Sequence, residues 1–433
     1  MPSPLSAPRR RRTALGLAAT AAATALVLTG CAGGSDAGDA SADGAIDGSI
    51  TLQTWSLTPT YQDYLDGVIA DFEEANPGAS VELVDQPGEG YSEKVLSQAS
   101  SNTLPDVVNL PPDIALPLAE RGFLYDVSQS DDQLDDTYVS GALAAYEYAG
   151  VDGTYGYPWY LNTDVNYWNA TQMDACGLDS GSVPATTDEL FEQAEAMHEA
   201  CPDEYLMSRK PGLSDFSLTG ASVLNDDGTE FTFADDDEVV ELIDRYAEAY
   251  QDGYLPPTVL SSDYLGNSTL FTQAKVAWTT GGASALADIV KNNPSLDGNV
   301  VVSEALDTPP LYVQGLSVSA KSPELATANA FAAFMTNTEN QNAFGHIVNV
   351  FPSTTESASD TYFSEDDGTT GGKARSIAFA SLEQAENLTP VQANPAMTTF
   401  LDQQIALAMQ GDVTSEEALR TAQDKMNQLL AQG

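Results

Sequence analysis

Six aromatic side chains crowd the stretch YGYPWYLNTDVNYWN at 155–169: Tyr155, Tyr157, Trp159, Tyr160, Tyr167 and Trp168, with Asn162 and Asp164 among them. Rings interleaved with neutral and acidic hydrogen-bonding groups suit a sugar, because the apolar face of a pyranose stacks on a ring while amides and carboxylates take its hydroxyls. The same residue types can cage a cation, and that alternative stays open. Core packing accounts equally well for Tyr167 and Trp168.

Reactive chemistry finds little support. TTGGKARS lacks the spacing of a phosphate loop, and its Lys373 is followed by Ala374 rather than Ser or Thr. Neither a G-x-S-x-G elbow nor an H-E-x-x-H pair occurs, and the two histidines, His198 and His346, stand alone. His198 falls late in an amphipathic helix and His346 reads as a packed or capping residue. The 64 acidic residues offer so many carboxylate pairs that no single pair is informative. The expectation is a binder with no catalytic residue, no cofactor and no metal. The aspartates at 235–237 read as a helix start, since the oxygen-ligand spacing of a calcium loop is missing.

The charge narrows the partners. With 16 basic against 64 acidic residues the formal charge is -48, which leaves no surface for nucleic acid and disfavours anionic ligands. A local arginine could override that field, and Arg209 is the nearest one.

These residues need elements to hold them. SITLQTW alternates like a strand and ends in Trp55, TPTYQDYLDGVIADFEEANPG reads as a helix with Thr58 as N-cap and Pro59 at its first position, and ASVELV is a second strand. A helix at 91–100 and a strand at 106–110 complete a β-α-β-α-β series, which predicts parallel pairing with ligands beyond the carboxyl ends of the strands, near Trp55 and Asp113. A second α/β region begins near 160. It includes a capping box from Thr186 to Glu189, a helix in DDDEVVELIDRYAEAY, a strand running into glycines in KVAWTTGG and an extended run in LYVQGLSVSA. The last sixty residues are mainly helical, with a final helix capped by Thr414. About 385 folded residues exceed what one core organises, so two domains are expected.

The N-terminus carries an export pattern. Arg9 to Arg12 precede an apolar run that ends in LTGC at 28–31, which looks like a lipobox with Cys31 as the lipidated first mature residue. Removing residues 1–30, which hold four arginines and no acid, takes the charge from -48 to -52. Cys176 and Cys201 then remain, and an oxidising compartment favours a disulfide between them over two inert thiols. Such a link would contribute about 3–4 kcal/mol.

With these segments in order, the chain resembles the extracellular solute-binding proteins of ABC importers, the family that includes the maltose-binding protein. The likeness rests on the lipobox, TLQTW with FEEANPG, LPDVVNL, YGYPWYLNTDVNYWN, LFTQAKVAWTTGG and GLSVSAKSPELATANAFAAFM before FPST. It implies an α/β, two-lobed periplasmic-binding-protein-like fold of type II, with hinge strands crossing near 155–162, 311–318 and 352–375. The expected division is a tether at 31–48, lobe 1 at 49–158, lobe 2 at 159–315, a return to lobe 1 at 316–355 and a mainly helical remainder at 356–433, mostly in lobe 2. It also implies capture of a mono- or oligosaccharide, delivery to the permease transmembrane subunits, and a monomer anchored in membrane lipid on the extracytoplasmic face. The cleft residues carried over are Trp55, Asp113, Trp159, Tyr160, Asn162, Asp215, Phe216, Trp278, Gly281 and Gly282. Leu110 stands where the family's sugar binders often place a stacking ring, so the site is not a copy of a maltodextrin site.

Overall fold

The computed structural model describes residues 44–432 apart from Ser262; Cys31 and the export pattern before it lie outside the described residues. Nine strands build two sheets among the described residues. They are β1 (Gly48–Trp55), β2 (Ala79–Gln86), β3 (Val107–Leu110), β4 (Tyr157–Asn162), β5 (Asp164–Asn169), β6 (Trp278–Gly282), β7 (Val300–Ser303), β8 (Tyr312–Val318) and β9 (Phe351–Pro352). The larger sheet runs β2-β1-β3-β8-β4-β9 and the smaller runs β6-β5-β7. The expected parallel pairing of the first three strands is present, while β8 lies antiparallel to β3 and to β4.

Lobe 1 follows from its apolar spacing. Leu65, Val68 and Phe72 are one face of the helix Gln62–Ala75 and are buried against Phe331 and its neighbours. Each side chain of this size contributes about 1.5–3 kcal/mol by leaving water. The helix starts later than its sequence suggests, and Thr58 is not its cap. The Asp85 carboxylate accepts from the backbone N–H of Leu57 and of Thr58, and from the hydroxyls of Thr54 and Thr58. These bonds hold residues 58–61 in a turn before the helix begins.

Lobe 2 is organised around the smaller sheet. Its faces alternate: Trp168 and Trp278 point into a core shared with Phe216, Phe231, Phe233 and Tyr246, while Val165 and Tyr167 point to the other side. Thr186 caps the helix Thr187–Ala200 by accepting from Glu189 N, and Glu189 reaches back to Ala185 N, one residue earlier than a capping box on Thr186 requires. Asp236 caps Asp237–Gln251, so the aspartate cluster is a helix start. Cys176 and Cys201 are joined in a disulfide with Cα atoms 5.7 Å apart, tying together the ends of helices Ala170–Ala175 and Thr187–Ala200.

The lobes are joined where the chain passes between sheets. Only the buried Thr163 separates β4 in the larger sheet from β5 in the smaller. The chain returns from β7 to β8, and leaves the larger sheet again after β9.

Candidate functional site

Asp164 opens β5 and Tyr312 opens β8, so both stand where the chain crosses between lobes. The Tyr312 hydroxyl approaches Asp164 Oδ2 at 3.5 Å, and the Tyr312 ring is 51% exposed. Both residues line a cavity of about 400 Å³ with Arg209, Ser214, Asp215, Asn267, Trp278, Thr280 and Thr308. Burial raises the Asp164 pKa above the ordinary carboxylate value, against hydrogen bonds from Thr280 and Tyr312 that lower it. Burial and the neighbouring Asp164 charge raise that of Tyr312.

The floor of the cavity is fixed by local structure. Asp215 sits in the first turn of the short helix Leu213–Leu218 and accepts from Gly212 N at 2.7 Å. Arg209 Nη2 donates to both Asp215 oxygens, at 2.5 and 2.6 Å. Burial alone would lower the Arg209 pKa, but the Asp215 charge overturns this and leaves it raised. Asn267 begins the helix Asn267–Thr272; its side chain accepts from Ser208 N and donates to Trp278 O, pinning the Arg209 segment to β6. A neighbouring hollow of about 550 Å³ shares Arg209, Ser214 and Asp215 and adds Lys210, Thr398, Thr399 and Asp402.

Of the residues expected from the sequence, Asp215 and Trp278 meet in this cavity. Trp278 is 1% exposed and its Nε1 donates to Asn166 Oδ1, so it is a wall rather than a stacking platform. Gly281 and Gly282 follow it in β6, and Asn162 of the crossing strand packs against Gly282. Two expectations are corrected. Trp159 is fully buried in lobe 1 and stacks on Phe344 at 5.1 Å, because it shares a strand face with Tyr157, two residues earlier, and that face packs into the lobe-1 core. Phe216 is fully buried beside Phe233 at 5.3 Å. Neither ring has surface to offer a ligand. Tyr160 is half-buried and also leans on Phe344.

Trp55 and Asp113 stand on lobe 1, at the ends of β1 and of the loop after β3, and do not line this cavity. Trp55 is half-buried and stacks on Tyr91. Asp113 is exposed in the first turn of Pro112–Glu120; crowding by the surrounding protein raises its pKa, against the backbone N–H groups of Asp113 and Ile114 that lower it. Tyr146 and Tyr148 hold this loop by donating to the carbonyls of Leu110 and Pro112. His346 bonds Asp360 and packs on Tyr362, while His198 packs beside Tyr254; neither lines the cavity.

The sequence reading missed Tyr312, Asn267 and Thr280, and did not count Asp164 among the ligand residues. Asp164 was visible within the aromatic stretch, and Asn267 carried a weak signal as an amide beside Gly266 at a helix start. Tyr312 and Thr280 lie within strands and carried none.

Comparison with known proteins gives the following. Residues 67–370 match the model of the family described as bacterial extracellular solute-binding protein. No curated protein matches the chain by sequence. Among solved structures, a candidate oligosaccharide periplasmic-binding protein from Synechococcus sp. MITs9220 is similar with a TM-score of 0.77 and 23% identity, over 88% of this chain and 99% of that one. The cyclic alpha-maltosyl-1,6-maltose binding protein of Arthrobacter globiformis is similar at 0.73 and 17%, over 89% and 100%. The GacH receptor of Streptomyces glaucescens GLA.O, studied unliganded and with acarbose, is similar at 0.69 and 20%, over 89% and 99%.

Proposed function

The chain belongs to the bacterial extracellular solute-binding proteins, and from that premise we propose that it captures a neutral mono- or oligosaccharide and hands it to an ABC importer. An extracytoplasmic location comes with the family. The observation that carries the sugar reading is Tyr312. Its half-exposed ring borders a cavity lined by both acceptors and donors, with Asp164 and Asp215 among the first and Asn267 and Thr280 among the second. A pyranose offers an apolar face and a ring of hydroxyls, and such a lining complements both. The sugar-binding names of the similar structures support the same ligand class.

In this reading Tyr312 stacks on the sugar and the lobe-2 polar groups take its hydroxyls. Rotation about the crossing strands brings Trp55 and Asp113 of lobe 1 over it. The protein binds without chemical change, works as a monomer, and is held to the membrane through lipid on Cys31.

The test is a thermal-shift screen of mono- and oligosaccharides beside betaines and polyamines, since a ligand bound only by the folded state raises Tm by mass action. A sugar should shift Tm and be recovered unaltered, and Tyr312→Ala should weaken it about tenfold to a hundredfold. Shifts confined to the cationic compounds overturn the sugar reading, and turnover of the bound sugar overturns the binder.

A further inference from the structure

An arginine in the cleft of a protein this acidic would ordinarily be the place where an anion binds. Here its charge is already balanced by a neighbouring carboxylate. Arg209 Nη2 bridges both oxygens of Asp215, whose carboxylate is further fixed by Gly212 N and whose side chain is 11% exposed. The pair is therefore built into the start of the Leu213–Leu218 helix rather than formed by two mobile surface chains. The adjacent base is treated likewise, for Lys210 Nζ lies 2.8 Å from Asp402 Oδ2 at the rim of the neighbouring hollow. Asp164 adds a second carboxylate to the lining of the cavity.

Resting on the carbohydrate reading above, we propose that Asp215 is a specificity-determining residue: by holding the Arg209 guanidinium it makes the cavity reject carboxylated sugars and accept their neutral counterparts. A uronate carboxylate reaching the remaining Arg209 nitrogens would meet a guanidinium whose charge Asp215 already balances, and would lie beside two carboxylates, Asp215 and Asp164. That repulsion is costly where water is scarce. A hydroxyl incurs no such cost, since it can donate to a carboxylate oxygen while the ion pair stays closed.

The test uses the full exported domain and matched pairs of neutral sugars and their uronic acids, by calorimetry at low and moderate salt. The unaltered protein should bind the neutral member of a pair and not the uronate. Asp215→Asn retains an oxygen for Gly212 N but gives up the charge, and should gain uronate affinity by about tenfold or more, the worth of one charge-assisted hydrogen bond. Adding Arg209→Gln to that variant should abolish the gain. Arg209→Gln alone leaves Asp215 uncovered and should instead gain affinity for amines, which keeps the proposal testable where Asp215→Asn does not fold. Equal binding of neutral and acidic sugars by the unaltered protein overturns it. So does a folded Asp215→Asn without uronate gain or, where that variant does not fold, an Arg209→Gln without amine gain. A protein that binds no neutral sugar but takes up uronate once Asp215 is neutralised keeps the gate and loses the neutral-sugar reading; one that takes up neither loses both.

Discussion

Gly282 has no side chain because Asn162 occupies its place: a β carbon built there would lie 2.6 Å from Asn162 Nδ2. Asn162 is the last residue of β4 in lobe 1 and Gly282 the last of β6 in lobe 2, so the contact bridges the crossing itself. Gly282→Ala should therefore destabilise the protein by about 1–3 kcal/mol, the usual cost of overpacking. Urea denaturation measures it. Gly67→Ala is the control, since that position is exposed, helical and open; it should stabilise by about 0.5–1 kcal/mol.

Trp159 gives a second prediction. Trp159→Ala should cost about 3–5 kcal/mol of stability, because it empties the space beside Phe344. Sugar affinity per folded molecule should be unchanged, as calorimetry on the refolded fraction will show. A binding loss larger than that of Tyr312→Ala would return the indole to the ligand.

Asp164 sets a pH dependence. Its pKa is raised on folding from the ordinary value of 3.8, so the folded chain holds that proton more tightly than the unfolded one. Its contribution to stability is therefore fullest at low pH and falls as pH rises through the interval between the unfolded and the folded pKa. Asp164→Asn should raise Tm at pH 7 and have less effect near pH 4, a difference that scanning calorimetry at the two values reads directly.

The disulfide predicts a redox response. Reduction of Cys176–Cys201, which closes a separation of 25 residues, should lower stability by about 3–4 kcal/mol. Alkylation followed by intact-mass measurement should find the two cysteines protected before reduction and modified after it.

What the sequence made legible were features decided within a few residues. The helix Tyr91–Ser100, the helix start in the aspartates at 235–237 and the Thr414 cap depend on neighbours along the chain, and all stand where they were expected, whereas β1, a central strand, is buried on both faces from Leu52 to Thr54 and does not alternate there. The features that escaped depend on distant partners. Thr58 is held instead by Asp85, 27 residues beyond it, which accepts from its N–H and its hydroxyl, and the helix begins only at Gln62. Trp159 faces inward with Tyr157 because the core that receives them is built by Phe344 and its neighbours, far along the chain, and nothing in YGYPWYLN marks that face as core rather than cleft. Tyr312 was hidden for a related reason: a tyrosine in an alternating run reads as any strand residue until the crossing places it beside Asp164.

The pairing of β3 with β8 carries a consequence for how the molecule is made. Val107 lies opposite Val318 in the antiparallel register, and β4 is held to the same strand, so β8 is the centre seam of the lobe-1 sheet. Until residue 318 has been synthesised, β3 has an open edge, and the helix Leu325–Met335 that completes this core is missing as well. No shorter nascent chain can close that lobe, however complete its N-terminal half. Such long-range pairing is slow to form. The polypeptide therefore cannot complete the lobe-1 sheet until most of it has been translated.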